Sequence, residues 1–339
     1  MINKKFILLL IAVFICKSEF AQDIHFSQYY ASPLTLSPSN TGNYNGNSRI
    51  MSNYRSQWKE ISKPYITNSI GYDRQFYIFN EKFSGGFIIV NDKSGINLKV
   101  LKILASAAYH KKIERNIIHA GIQFGLVNKQ VTPPDETFPN QLNWETGHFD
   151  KTLPNNENEL QNKLKYFDFN MGFGWNFIQL KKIEPFFSFA IFHLNCPNES
   201  FNNDKFILKP RLLFSGGTKW FFSDVVTFIP RFSFMRTTKA NELNLGFNTN
   251  FKTNNGDAKT GPTSLFSGIH TRTGINNLND AVFLVLGVIF NRVEVGVSYD
   301  INVSKLHVAT NYQGGFEISL IWTGLSTHIT KKEIPCDRY

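Results

Sequence analysis

Imidazole carries most acid–base and metal chemistry near neutral pH, so the histidines are weighed first. There are eight: His25, His110, His119, His148, His193, His270, His307 and His328. No two have the four-residue spacing that puts paired zinc ligands on one helix face, and no Cys-x-x-Cys occurs. Neither a G-x-S-x-G elbow nor a G-x-x-x-x-G-K-[ST] phosphate loop is present. His119 and Gln123 share one side of an alternating segment. They make either a fragment of a nucleophilic site or ordinary interior hydrogen bonding, and the second is the plainer account. Glu294 and Asp300 lie near opposite ends of one segment, too far apart for paired-carboxylate catalysis. Asp135, Glu136, Glu145 and Asp150 form an acidic group that lacks the D-x-[DN]-x-[DN]-G spacing of a calcium loop. No catalytic, cofactor or metal site follows from these residues, and the expectation is a protein that is not an enzyme.

The elements that carry these side chains are strands. Apolar and polar residues alternate with period two along the chain. From Phe167 to Phe177 the odd positions are Phe, Phe, Met, Phe, Trp and Phe, against Asp168, Asn170, Gly172, Gly174 and Asn176. The same holds for Ile118–Leu126, Leu243–Phe251 and Val293–Tyr299. The polar side is Gly, Asn, Ser and Gln rather than the charged face of a soluble sandwich. Such a face suits the lumen of a membrane barrel, with the Phe-rich face turned to lipid. Phe accounts for 33 residues and aromatics for 15% of the chain, while charged residues are only 18%. The +10 formal charge is dispersed, which excludes a nucleic-acid footprint.

Fourteen candidate strands follow: 47–58, 64–76, 83–92, 98–110, 116–128, 165–177, 184–194, 209–221, 225–236, 240–251, 262–272, 280–290, 291–300 and 311–322. Most exceed the roughly 9–11 residues of a tilted transmembrane strand. An even count returns both termini to one side of the membrane. Connections after odd strands include the longest, 129–164 and 195–208, and those after even strands are mostly tight, with 252–261 the exception. Long outer loops and short periplasmic turns are the barrel pattern. Trp58, Trp175, Trp220 and Trp322 fall near strand ends, as interfacial girdle residues do.

The N-terminus addresses the chain for export. Lys4 and Lys5 precede an apolar run, Phe6–Cys16, and the expected signal peptide is residues 1–21, cleaved after Ala21. Lipidation at Cys16 is the alternative, opposed by bulky Ile15. The fold class expected is therefore all-β: a single-chain antiparallel transmembrane barrel over 47–322. Residues 22–46 and a tail, 323–339, face the periplasm or tuck into the lumen. Cys196 and Cys336 then lie on opposite sides of the membrane and do not pair.

The mature start, QDIHFSQYYASPLTLSPSNTG (Gln22–Gly42), resembles the opening of the PorP/SprF family, Q-D-x-x-F-S-Q-Y followed by Pro-Leu and x-N-P-A-x-x-G. NYRSQW (Asn53–Trp58) is similar to the family's R-x-Q-W, and HLNCPNESF (His193–Phe201) to its H-L-x-x-P-x-x-S-F. GVSYDINVSKL (Gly296–Leu306), GGFEISLIW (Gly314–Trp322) and CDRY (Cys336–Tyr339) resemble later family segments, in order. Ser37, Ser39 and Asp337 depart from the usual Asn, Ala and Pro. The resemblance implies an outer-membrane protein of type IX secretion and gliding motility. Its partners would be a secreted surface adhesin and periplasmic secretion-ring or peptidoglycan-linked components. Partner contacts would then fall on Phe26, Gln28, Tyr29, Pro33, Pro38, Arg55 and Trp58. The same fold leaves open a general diffusion porin or a barrel enzyme acting on lipid or polysaccharide.

Overall fold

The computed structural model describes residues 25–325 apart from 60–62, 96, 132–138, 145, 151, 154–161, 179–181, 202–204, 239, 254–261, 275–277 and 305–306. The expected signal peptide, the C-terminal segment with Cys336 and Asp337, and the acidic loop residues Asp135, Glu136 and Glu145 lie outside the described residues. Cys196 is exposed and free.

Fourteen long strands form the wall. They are β1 (Ser48–Gln57), β2 (Tyr65–Ile78), β3 (Glu81–Ser94), β4 (Leu98–Ile113), β5 (Asn116–Val131), β6 (Lys163–Phe177) and β7 (Ile183–Phe192). The second half comprises β8 (Arg211–Phe221), β9 (Val226–Arg236), β10 (Asn241–Lys252), β11 (Ser264–Gly274), β12 (Leu278–Phe290), β13 (Val293–Asn302) and β14 (Gln313–Thr323). Each pairs antiparallel with the next, and β14 returns to pair with β1, placing Glu317 opposite Arg55. The sheet is closed and has no terminal edge strand.

Period-two alternation decides which side chains face in. On β6, Asp168 and Asn170 are buried, while Phe167, Met171 and Phe173 are exposed on the outside. On β5, His119 and Gln123 point inward, and Ile122, Phe124 and Leu126 outward. Phenylalanines such as Phe124, Phe167 and Phe173 thus form an outer belt rather than the core of a sandwich. On β3, β4 and β12 the inner face departs from the polar composition read from the other strands. Ile88, Val90, Val100 and Leu104 are buried inside, as are Phe283 and Val285. Leu34 packs on Ile88, Val90 and Leu104 together with Met51, and Phe266 packs on Phe283 and Val285. These interior patches are apolar because something other than water covers them.

The two rims differ. At the near rim, where β1 begins and β14 ends, two-residue turns at Phe79–Asn80, Glu114–Arg115 and Asn291–Arg292 join the strands. Asn80 (φ 63°) and Asn291 (φ 49°) take the left-handed conformation that such turns require and Asn tolerates. At the far rim, β5 and β6 are separated by more than thirty residues, which include a small hairpin of Leu142–Asn143 with His148–Phe149.

Candidate functional site: the plugged lumen

Residues 25–46 occupy the barrel interior. The sequence gives this segment no regular period, but its prolines and serines build three short turns. These are a 3-10 turn at Tyr29–Ala31, an α-turn at Pro33–Leu36 and a second 3-10 turn at Pro38–Asn40. Pro33 and Pro38 stand at the first turn positions, where the missing N–H costs nothing. The Ser37 hydroxyl accepts from the Ser39 N–H at 3.3 Å and lies 2.8 Å from the Ser39 hydroxyl. A serine at 37 keeps the capping capacity of the asparagine usual there.

The start of the plug is held by charge. Both Glu317 oxygens accept from its backbone, Oε2 from the Ser27 N–H (2.8 Å) and Oε1 from the Gln28 N–H (3.0 Å). Arg55 donates to Asp300 Oδ2 (2.8 Å), to Glu317 Oε2 (3.2 Å) and to the Ser27 hydroxyl. Arg272 adds a second cation, 3.4 Å from Asp300 and 2.5 Å from Asp280. The Gln28 amide donates to Ser298 (3.2 Å) and accepts from Ser319 (2.8 Å). Arg55, Asp300 and Glu317 are all buried, so each charge depends on the others for solvation.

The middle of the plug is aromatic. Tyr29 and Leu36 pack with Ala190, Phe192 and Leu213 of β7 and β8. Tyr30 stacks on His270, whose ring is parallel to Phe283 at 5.0 Å. Burial pushes the phenols of Tyr29 and Tyr30 above their ordinary range, so both remain neutral.

The end of the plug is fixed from β1 to β6. Asp73 takes a bidentate contact from Arg49 (3.0 and 2.6 Å) and the Gly42 N–H (2.7 Å). Gln75 donates to the Gly42 and Tyr44 carbonyls. Gly42 has φ 70°, and a side chain there would strike Ser84. Gln123 donates to the Leu34 carbonyl (3.2 Å) and accepts from Asn170 (3.1 Å). The inward glycines explain the small-residue face. A Cβ on Gly121 would come within 2.5 Å of the Pro38 carbonyl, and one on Gly172 would collide with Ser37.

The sequence-derived candidates divide accordingly. Phe26, Gln28, Tyr29, Pro33, Pro38 and Arg55 are all buried inside the barrel. Trp58 stays at the far rim, edge-on to Tyr65 at 4.8 Å. The lumen is occupied by the chain's own N-terminal residues. His119 does not act with Gln123. Its Nδ1 lies 2.6 Å from His110 Nδ1, and His110 Nε2 lies 2.8 Å from the Ser84 hydroxyl. That hydroxyl spends its single proton on the Thr41 carbonyl at 2.7 Å, so it accepts from His110 rather than yielding a proton to it. Asp168 pairs with His193 at 2.8 Å, and Asn170 accepts the His193 N–H at 2.9 Å. Sequence reading missed Ser27, Asp73, Glu317 and the His110–His119 pair as supports. Glu317 and Asp300 sit inside segments already quoted for the family resemblance, and that was the available signal.

The chain matches the family described as type IX secretion system membrane protein PorP/SprF over residues 18–322. No curated protein matches it significantly. Among solved structures it is similar to the toluene transporter TbuX of Ralstonia pickettii, with 9% identity and TM-score 0.50. That match covers 87% of this chain and 94% of the transporter. It is also similar to the monoaromatic hydrocarbon channel CymD, with 10% identity, TM-score 0.51, and 88% and 94% covered. At such identities the likeness is one of fold, an outer-membrane-type barrel. The family match spans most of the sequence, and the chain belongs to the PorP/SprF family of type IX secretion system membrane proteins.

Proposed function

We propose that this protein is a non-enzymatic outer-membrane component of type IX secretion that holds exported proteins at its outer mouth. Its own N-terminal segment keeps the lumen shut. The tight near-rim turns and long far-rim loops support an orientation with the near rim in the periplasm and the far rim outside. The observation that carries the reading is the lock on the plug. Ser27 and Glu317, 290 residues apart, meet with Arg55 and Asp300 in one buried network. A sealed lumen leaves the rims as the surfaces for partners: outer loops 132–162 and 193–210 for a surface adhesin, and the near rim and residues 324–339 for periplasmic ring or peptidoglycan-linked components. Phe26, Gln28, Tyr29, Pro33, Pro38 and Arg55 serve partners indirectly in this reading, by fixing the plug, while Trp58 lies on the contact side.

The test is deletion of residues 132–160 or 195–208 in the producing cell, scored by secretion and surface retention of type IX cargo. Retention should fall while the barrel keeps its heat-modifiable gel migration; unchanged retention in both deletions overturns the reading. A channel for small apolar molecules is the second reading, favoured by the fold shared with two aromatic-hydrocarbon channels. It requires a route past the plug, and uptake of a monoaromatic hydrocarbon into cells separates the two.

A further inference from the structure

In a closed barrel every strand is paired on both sides, but β6 is so over only part of its length. Against β5 it is paired from Lys163 to Phe177. Against β7 it is paired only from Met171 to Asn176. The cause is a turn at the end of β7. His193 adopts φ 58° and points inward to Asp168. The chain then folds into the mouth, where Leu208 packs on Val100, Val127 and Tyr166 and Glu199 pairs with Lys129.

Two groups cover the beginning of the bare edge. The Leu194 N–H donates to the Phe169 carbonyl at 2.9 Å. The Asn195 side-chain amide then replaces a strand, accepting from the Phe169 N–H (3.1 Å) and donating to the Phe167 carbonyl (2.7 Å). Beyond it the cover stops. Odd residues of β6 aim both backbone groups to this side, by the alternation of an antiparallel ladder. The Phe167 N–H and the N–H and C=O groups of Lys165 and Lys163 meet no partner on this side among the described residues.

The position of the cover matches the membrane. A crossing takes about 9–11 residues, so counted from Phe177 it is complete near Phe167. Open backbone groups are not tolerated against hydrocarbon. The capped stretch therefore lies at the membrane, and the open stretch stands outside it.

We propose that residues 163–167 of β6 form a strand-addition site for an extended, acidic segment of an exported protein; this rests on the function proposed above and names the partner's chemistry. Lys163, Lys165 and Phe167 share the outward face, and all three are exposed, Phe167 by 59%. A strand laid alongside forms main-chain bonds to Lys165 and Phe167. Its own outward residues meet two ammonium groups and then an aromatic ring. The same lysines repel basic strands, so the edge is selective rather than sticky.

The test uses full-length protein in lipid nanodiscs. The probes are a ten-residue peptide alternating Val and Glu, a Val/Lys counterpart, and a Val/Glu version interrupted by Pro. The Val/Glu peptide should slow amide exchange at Lys165 and Phe167, and the other two should not. Lys165→Pro removes an N–H that faces away from β5, so the barrel ladder survives, as unchanged heat-modifiable migration will verify. It should weaken the Val/Glu peptide about tenfold, the loss of roughly one backbone hydrogen bond. Exchange unaltered by the peptide, equal affinity for Lys165→Pro, or amides already protected in the free protein each overturn the proposal. In cells, cargo retention lost on deleting 195–208 but normal with Lys165→Pro overturns this edge alone. Retention normal in both, and also on deleting 132–160, overturns the underlying function as well.

Discussion

Glu317→Gln is the sharpest test of the lock, because it changes a charge and one donor without changing shape. In the native protein the carboxylate accepts three hydrogen bonds, from Ser27 N–H, Gln28 N–H and Arg55. A glutamine has one acceptor oxygen, and its NH2 must face donors. With that oxygen kept on Ser27 and Arg55, the NH2 is opposed to the Gln28 N–H. One bond to a charged group is lost, worth roughly 1.5–3 kcal/mol, and two donors are left facing each other. Arg55 also loses one of its two buried counter-ions, keeping Asp300 alone. The combined loss is about 3–5 kcal/mol, in the range found when one partner of a buried ion pair is removed. A change of that size multiplies the released population of the plug start by a factor of about 10² to 4 × 10³. The assay is amide hydrogen exchange at Ser27 and Gln28 in detergent-solubilised protein, with gel migration before and after heating as the control for an intact barrel. The expected result is loss of protection at both amides with the barrel still folded. Native-like protection at Ser27 and Gln28 would refute the lock.

Other consequences are simpler. Gly121→Leu should drive Pro38 and Ser39 off the wall, because its Cβ alone lies 2.5 Å from the Pro38 carbonyl; rising exchange at residues 37–41 checks this. The wild-type protein should be silent in planar bilayers, and deletion of residues 25–43 should produce steady single channels. Equal conductance in the two would mean the plug is not the seal. Asn195→Ala uncovers the Phe167 carbonyl and the Phe169 N–H at the membrane face, costing about 1–3 kcal/mol for each group left unpaired. It should lower the temperature at which the folded gel band is lost.

The wall was legible because a two-residue period is hard to imitate by chance over a dozen residues. Observed β1 runs 48–57 where 47–58 was read, and β6 runs 163–177 where 165–177 was read. Strand ends slipped by up to three residues: β4 was expected to end at 110 and β5 at 128, and they run to Ile113 and Val131, while β13 was expected from 291 and starts at Val293. For residues 22–46 the sequence left the periplasm and the lumen both open, since Tyr29–Asn40 has no period and its turns depend on what surrounds them. The apolar interior of β12 was equally hidden. Ala281–Phe290 is hydrophobic on both faces, so alternation cannot say which one meets lipid and which meets Phe266. His110 and His119 are nine residues apart along the chain, and only the β4–β5 register places them opposite each other.

The chemistry of the lock also says why the lumen face keeps buried polar and charged side chains between its apolar patches. A plug held by greasy packing alone would tolerate sliding, because dispersion contacts are individually weak and nearly without direction. Residues 25–46 contain few apolar anchors, among them Phe26, Tyr29, Tyr30, Leu34 and Leu36, so their register has to come from elsewhere. Directional bonds supply it at both ends: Glu317 reads two consecutive backbone N–H groups, and Asp73 reads the N–H of Gly42. A shift by one residue would break both readings and drive Cβ atoms into the walls that Gly121 and Gly172 leave open. Buried charge is an inefficient way to stabilise a fold but an effective way to specify one arrangement of it. The Arg55–Asp300–Glu317 network is therefore best understood as a register pin for the plug.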